Sequence, residues 1–157
     1  PGKQYTATVK TEKGDFVIKL YADKAPMTVN NFIFLARQGW FNGLTFHRVI
    51  EGFVAQTGDP SGEGWGGPGY IFSNEIHPDL KYDRAGLVGM ANRGPDTNGS
   101  QWFVTYAPQP DLDSGYTIFG EVISGMDVVE SLTPRNPSGQ EDLPPGDKIV
   151  GVEITEK

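Results

Sequence analysis

Glycine and proline together supply 21 + 12 = 33 of the 157 residues, about a fifth of the chain, against roughly 12% in average sequences. Inside a helix each proline costs about 3 kcal/mol and each glycine about 1 kcal/mol, so this density excludes a helical bundle and favours short strands joined by turns. The strand signal begins at once. Tyr5, Ala7 and Val9 alternate with Thr6, Thr8 and Lys10, Glu12-Lys13-Gly14-Asp15 supplies a turn, and alternation returns from Phe16 to Leu20. The spacing predicts an N-terminal hairpin.

Pro26 is placed for a first helical turn, and Val29, Phe32, Ile33 and Ala36 then recur at i, i+3, i+4 and i+7 until Gly39 closes the pattern. Leu44 to Ile50 returns to alternation, with Phe46, Arg48 and Ile50 on one face and Thr45, His47 and Val49 on the other. An arginine on that apolar face invites explanation. Thr57 to Tyr82 has no sustained period and reads as a long loop with a function or a packed interior. Strand patterns follow at Leu87–Ala91, Gln101–Tyr106, Thr117–Ile123 and Ile149–Thr155, with a short helix at Met126–Leu132. The reading is mainly β: roughly seven or eight strands and two helices, with strands from both ends closing one sheet into a barrel. A length near roughly 150 residues per domain makes residues 1–157 one domain.

Thirteen Lys and Arg against twenty Asp and Glu leave a net charge of −7, the wrong sign for a surface that neutralises phosphates, so nucleic acid is not an expected partner. The chain has no cysteine, which excludes disulfides, thiolate nucleophiles and cysteine-ligated metals. The longest apolar run, Phe32-Ile33-Phe34-Leu35-Ala36, is far short of the roughly 20 residues that cross a bilayer. The chain begins with Pro1 rather than Met, and a cytoplasmic location is favoured unless an N-terminal targeting segment has been trimmed, in which case an extracytoplasmic one is expected.

Several motifs have plain structural explanations. Gly62-Glu63-Gly64-Trp65-Gly66-Gly67 has dinucleotide-loop spacing, but Pro68-Gly69 follows and leaves no helix N-terminus for a phosphate. His47 and His77 lie 30 residues apart in unlike contexts, so no metal is expected, and the alternation of His47 opposite Arg48 gives it a structural role. Asp111 and Asp113 could be offered as a glycosidase pair, yet Pro110-Asp111-Leu112-Asp113-Ser114-Gly115 is more simply a turn. No serine sits in a Gly-x-Ser-x-Gly elbow, Asn98-Gly99-Ser100 is a sequon that arises readily by chance, and exposed tryptophans alone are a thin basis for a carbohydrate-binding sandwich.

Two segments are distinctive: Phe46-His47-Arg48-Val49-Ile50-Glu51-Gly52-Phe53-Val54-Ala55-Gln56-Thr57-Gly58-Asp59 and Gly89-Met90-Ala91-Asn92-Arg93-Gly94-Pro95-Asp96-Thr97-Asn98-Gly99-Ser100-Gln101-Trp102-Phe103-Val104. They closely resemble the signatures of cyclophilin-type peptidyl-prolyl cis–trans isomerases. The resemblance extends through Ala25–Phe32 and Phe119–Val122 in family order. It implies a closed eight-stranded antiparallel β-barrel capped by two α-helices, with a substrate groove outside the barrel wall.

Carried over position by position, it implies Arg48, Phe53, Gln56, Asn92 and Phe103 as the catalytic set, with Val54, Ala91, Gln101, Leu112 and Tyr116 binding substrate, and neither metal nor cofactor. Alternation supports part of this independently, since Gln101 and Phe103 share one strand face and Trp102 and Val104 the other. Phe53 and Gln56, three apart, can converge only if the backbone bends after Gly52. Gln56 is expected to hold the Arg48 guanidinium. The implied partners are proline-containing peptides and unfolded proteins, with the chain acting as a monomer. Asp111 and Tyr116 stand where the best-known eukaryotic members often carry tryptophan and histidine, so weak binding of cyclosporin is expected. The competing reading is a binding module that captures proline segments without accelerating their rotation.

Overall fold

In a computed structural model that describes residues 3–62 and 66–157, the chain runs β1 (Tyr5–Thr11), β2 (Gly14–Leu20), α1 (Pro26–Arg37), β3 (Arg48–Ile50), β4 (Val54–Thr57), β5 (Leu87–Met90) and β6 (Trp102–Thr105). A 3-10 turn (Pro110–Leu112) precedes β7 (Ile118–Ser124), α2 (Met126–Glu130) and β8 (Ile149–Glu156). The strands form one eight-stranded antiparallel sheet in the order β3-β4-β6-β5-β7-β2-β1-β8. Period 2 puts alternate residues on its two faces. One face, with at least one residue from every strand, surrounds a single core that includes Ala7, Phe16, Val49, Ala55, Val88, Val104, Phe119 and Ile149. A flat sheet could not bring eight strands to one cluster, so the sheet curls around it. Trp102 lies at its centre, with Phe32, Phe41 and Phe46 packed edge-on to the indole at centroid distances of 5.6, 6.2 and 6.0 Å.

The expected closed barrel is not formed. The end strands β3 and β8 do not pair with each other, and the sheet is a curled half-barrel whose gap is crossed by isolated bridges, Thr45 to Lys148 and Val49 to Arg135. The physical reason lies on both sides of the gap. β3 is only three residues long, and the segment leading into β8 carries Pro134, Pro137, Pro144 and Pro145, which have no N–H to donate to a ladder. The strand expected over Leu44–Ile50 is shortened because its pairing partner changes part-way along it. The Phe46 N–H donates to the Asp147 carbonyl at 2.9 Å, and pairing with β4 begins only at Arg48. Alternation breaks there, so Phe46 and Val49 both face the core while Arg48 faces out.

Helix α1 ends as its sequence predicts. Gly39 has φ +73°, its N–H donates to the Ala36 carbonyl, and the Trp40 N–H donates to the Leu35 carbonyl, a paired-bond C-terminal cap. Its start is capped from a distance. Glu75 accepts from the N–H of Met27 and from the N–H and hydroxyl of Thr28 at 3.1, 2.6 and 2.7 Å. A carboxylate there also complements the helix dipole. The helix packs along β8. No helix among the described residues is long and apolar enough to cross a membrane.

Candidate active site

The outer face of the sheet carries a second apolar cluster of Val54, Tyr82, Leu87, Phe103 and Ile118, flanked by Phe53, Ala91, Leu112 and Tyr116. Strand register explains why. Arg48 pairs with Gln56, Gln56 with Phe103, and Phe103 with Gly89, so a row runs across β3, β4, β6 and β5 with its side chains on one face. The neighbouring row Val49, Ala55, Val104 and Val88 points inward to the core. Trp102 and Val104 face the core and Phe103 faces out, as the alternation predicts.

The bend needed to bring Phe53 to Gln56 occurs at Gly52. Ile50 pairs with Val54, Gly52 takes φ +74°, and the Phe53 N–H donates to the Ile50 carbonyl at 3.0 Å, which places Phe53 in the turn outside the strand period. From there its ring lies under the Arg48 guanidinium, 5.4 Å from centroid to the cationic carbon. No hydrogen bond or ion pair among the described residues engages that guanidinium. Gln56, directly opposite, does not hold it. The Gln56 amide instead donates to Gln101 Oε1 at 2.8 Å, and the Gln101 amide donates to the Gly66 carbonyl at 3.0 Å. The arginine is left with donors that have no partner among the described residues.

Phe103 is only 4% exposed, held between Tyr82, stacked at 5.8 Å, and Tyr116, edge-on at 6.2 Å. Val54, expected to contact substrate, is 2% exposed and forms part of the floor. Leu112 and Tyr116 are half-buried at the edge of the cluster, and Asp111 is exposed on the 3-10 turn. Asp113 does not face Asp111 as a second acid. Its carboxylate accepts the Tyr82 N–H at 2.7 Å.

Ala91 joins the site through its N–H, which donates to the Gln101 carbonyl at 3.0 Å. The Asn92 side chain is spent on its own loop, donating to the Gly115 carbonyl at 2.9 Å and accepting from the Gly94 N–H at 3.1 Å. The Asn92 N–H and C=O have no partner among the described residues. Beside the aromatic cluster lies a cavity of about 590 Å³, lined by Gln56, Ala91, Asn92, Arg93, Gln101, Tyr70 and the glycines around Pro68. Arg48, Phe53 and Phe103 stand outside it.

Tyr82 was not singled out by sequence. It arrives from the long loop, is 1% exposed, and donates its hydroxyl to the Tyr116 and Thr117 carbonyls at 3.1 and 3.3 Å. Burial holds its phenol well above the ordinary value of 10.0, so it remains a donor. A Cβ at position 89 would overlap the Tyr82 hydroxyl and the Phe103 ring, which makes Gly89 the space on which both rings lie. The bounding of the loop by Tyr82 was the only local hint. The sequon asparagine, Asn98, is fully buried and donates to Phe72 and Asn74, so it anchors a loop. The glycine-rich dinucleotide-like motif lies partly outside the described residues.

The family model for the cyclophilin type peptidyl-prolyl cis-trans isomerase matches residues 6–154. The chain belongs to the cyclophilin family. It is an isomerase of that type. This cyclophilin is 46% identical over 151 residues to the peptidyl-prolyl cis-trans isomerase-like 1 of Aspergillus fumigatus, covering 94% of this chain and 93% of that protein. It is 44% identical over 168 residues to a probable peptidyl-prolyl cis-trans isomerase A of Mycobacterium bovis, covering 96% and 91%. Among solved structures, a Cryptosporidium parvum cyclophilin matches with a TM-score of 0.89 and 36% identity over 97% of this chain and 98% of that one. The same parasite's cyclophilin, solved in the presence of the dipeptide Ala-Pro, matches with a TM-score of 0.88.

Proposed function

We propose that Arg48, Phe53, Gln56, Asn92 and Phe103 form the isomerase site, with Val54, Ala91, Gln101, Leu112 and Tyr116 supporting it, and that proline-containing peptides and unfolded chains are the substrates. Amide resonance opposes rotation with a barrier of roughly 18–20 kcal/mol, and Xaa-Pro bonds exchange over tens of seconds or longer. At the twisted transition state the nitrogen lone pair leaves conjugation and becomes a hydrogen-bond acceptor. A cationic donor aimed there binds the transition state more tightly than either planar isomer.

Arg48 supplies that donor. The observation that carries the reading is its placement in one row with Gln56 and Phe103 while its guanidinium, over the Phe53 ring, has no hydrogen bond or ion pair to give up among the described residues. The Phe53 ring orients it, the Phe53–Phe103–Leu112 surface receives the pyrrolidine ring, and the Asn92 main chain, without a partner among the described residues, pairs with the peptide backbone. Gln56 and Gln101 brace each other and present their remaining amide groups to the peptide. No bond is made or broken, so the rotation needs neither nucleophile nor cofactor.

Residues 1–157 act as one isomerase unit and as a monomer. What supports the monomer is that the start of the β8 edge is taken by bonds between Ile149 and Gly43 and Leu44 and that α1 packs along the strand. Exchange NMR on an Ala-Pro peptide, with and without a strong chelator, tests the reading. Acceleration that the chelator leaves unchanged is expected. Peptide binding without acceleration would make the groove a capture module.

A further inference from the structure

Among the described residues, the cavity beside the aromatic cluster is walled almost entirely by neutral groups. Glycine backbone, the amides of Gln56 and Gln101 and the Thr97 side chain line it, and Arg93 is the one charged residue among the described lining. The turn that carries Arg93 is fixed. Its N–H donates to Thr97 Oγ1 at 2.8 Å, and that hydroxyl donates to the Gly94 carbonyl at 2.8 Å. The guanidinium itself has no hydrogen bond or ion pair among the described residues. The nearest acid in sequence, Asp96, is turned away and accepts the Asn74 N–H at 2.9 Å. Among the described residues Lys3, Lys10, Arg37 and Arg84 pair with acids, whereas Arg93, like Arg48 and several surface lysines, does not.

A forked cation left unpaired at the wall of a neutral cavity, next to the free Asn92 main chain, matches one ligand chemistry. We propose that Arg93 is a specificity-determining residue that selects substrates carrying a carboxylate side chain close to the proline, the carboxylate entering the cavity while the Xaa-Pro bond lies over Arg48. The inference rests on the placement of the isomerase site proposed above. Two-pronged pairing with a carboxylate suits arginine in particular. Arg93 stands outside the Arg48–Gln56–Phe103 row, so it binds planar and twisted substrate equally. Uniform binding of that kind lowers KM and leaves kcat alone.

The test uses the full chain and a set of peptides derived from one Ala-Pro parent, with Glu, Gln or Lys placed in turn at each of the three positions before and the three positions after proline. Turnover is followed by exchange NMR, and affinity by chemical-shift titration. At the positions that reach the cavity, Glu is expected to exceed Gln by about threefold to tenfold in kcat/KM, entirely in KM, with Lys below Gln. The advantage should shrink as salt is raised from low to physiological ionic strength. Arg93→Gln should bring the Glu to Gln ratio to about one, Arg93→Glu should transfer the preference to Lys, and Arg37→Gln, a distant surface cation, should preserve the original ratio. Equal values for Glu and Lys at every position, or a Glu preference that survives Arg93→Gln, overturns the proposal. Normal turnover of the Gln peptides alongside either result would leave the isomerase site standing, whereas their failure to turn over or bind removes the site and this inference together.

Discussion

Replacing Arg48 with lysine keeps the charge and removes the fork. The guanidinium lies 5.4 Å from the Phe53 ring centre and makes no hydrogen bond or ion pair among the described residues, so little of its free energy is committed in the free enzyme. Folding stability should therefore shift by no more than about 0.5 kcal/mol, as for a surface change that breaks no network. The transition state differs. A charged hydrogen bond to the pyramidal nitrogen contributes about 1.5–3 kcal/mol, and a hydrated ammonium on a flexible stem recovers only part of it. A loss of at least about 1.4 kcal/mol is a tenfold fall in kcat, and loss of the full bond approaches a hundredfold or more. KM should stay within about twofold, because Phe53, Phe103 and the Asn92 main chain are untouched. Exchange NMR of an Ala-Pro peptide over a concentration series separates the two constants, and a thermal melt verifies folding. Equal losses in affinity and turnover would show that Arg48 mainly holds the substrate, and activity within twofold of the original would remove it from the chemistry.

Phe103→Leu should weaken peptide binding at a stability cost below about 1.5 kcal/mol, whereas Phe103→Ala, which empties a site between two tyrosines, should cost about 3–5 kcal/mol; unchanged affinity in the leucine variant would assign Phe103 to the core alone. Tyr82→Phe takes the donor from the Tyr116 carbonyl, while the Thr117 carbonyl keeps the Met90 N–H, and should lower stability by about 1–3 kcal/mol in a denaturant melt, with no change pointing to another donor. Cyclosporin should bind weakly, because it would desolvate the Asp111 carboxylate, and Asp111→Trp should gain at least tenfold, about 1.4 kcal/mol, in titration; tight binding by the unmodified protein would place position 111 outside the drug's footprint. Burial lowers the pKa of His47 from 6.5, with Arg135 and Arg48 adding to the shift and Asp59 opposing it. The unfolded chain thus binds the extra proton first, and stability present above pH 6.5 should fall as pH drops toward the lower folded value. Denaturant melts across that range should flatten in His47→Asn, and an equal slope in that variant would assign the dependence to other groups.

Much of the site was legible because period 2 is local. The identity of neighbours along one strand is enough to separate Gln101 and Phe103 from Trp102 and Val104, and the structure keeps that division. The bend at Gly52 was likewise readable, since only a departure from strand geometry lets residues three apart share a face. The Leu44–Ile50 alternation is real in the sequence, but pairing partners change between Phe46 and Arg48, and a pattern cannot report which strand it will pair with.

By itself the sequence determined a mainly β chain, the N-terminal hairpin, the capped end of α1 and the family whose signatures it carries. The tertiary structure alone decided what those elements meet. The row from Arg48 through Gln56 and Phe103 to Gly89 depends on register between strands far apart in the chain, and the Tyr82 that supports Phe103 comes from a loop with no period to follow. Glu75 caps a helix that begins 49 residues before it, at Pro26. The closed barrel failed for a non-local reason too, because two short-reaching edges must present matching donors to each other, and the prolines before β8 withhold them. Propensity and period act over a few residues, whereas register, closure and the choice of Gln101 over Arg48 as partner of the Gln56 amide are settled only when distant segments compete for the same donors and the same space.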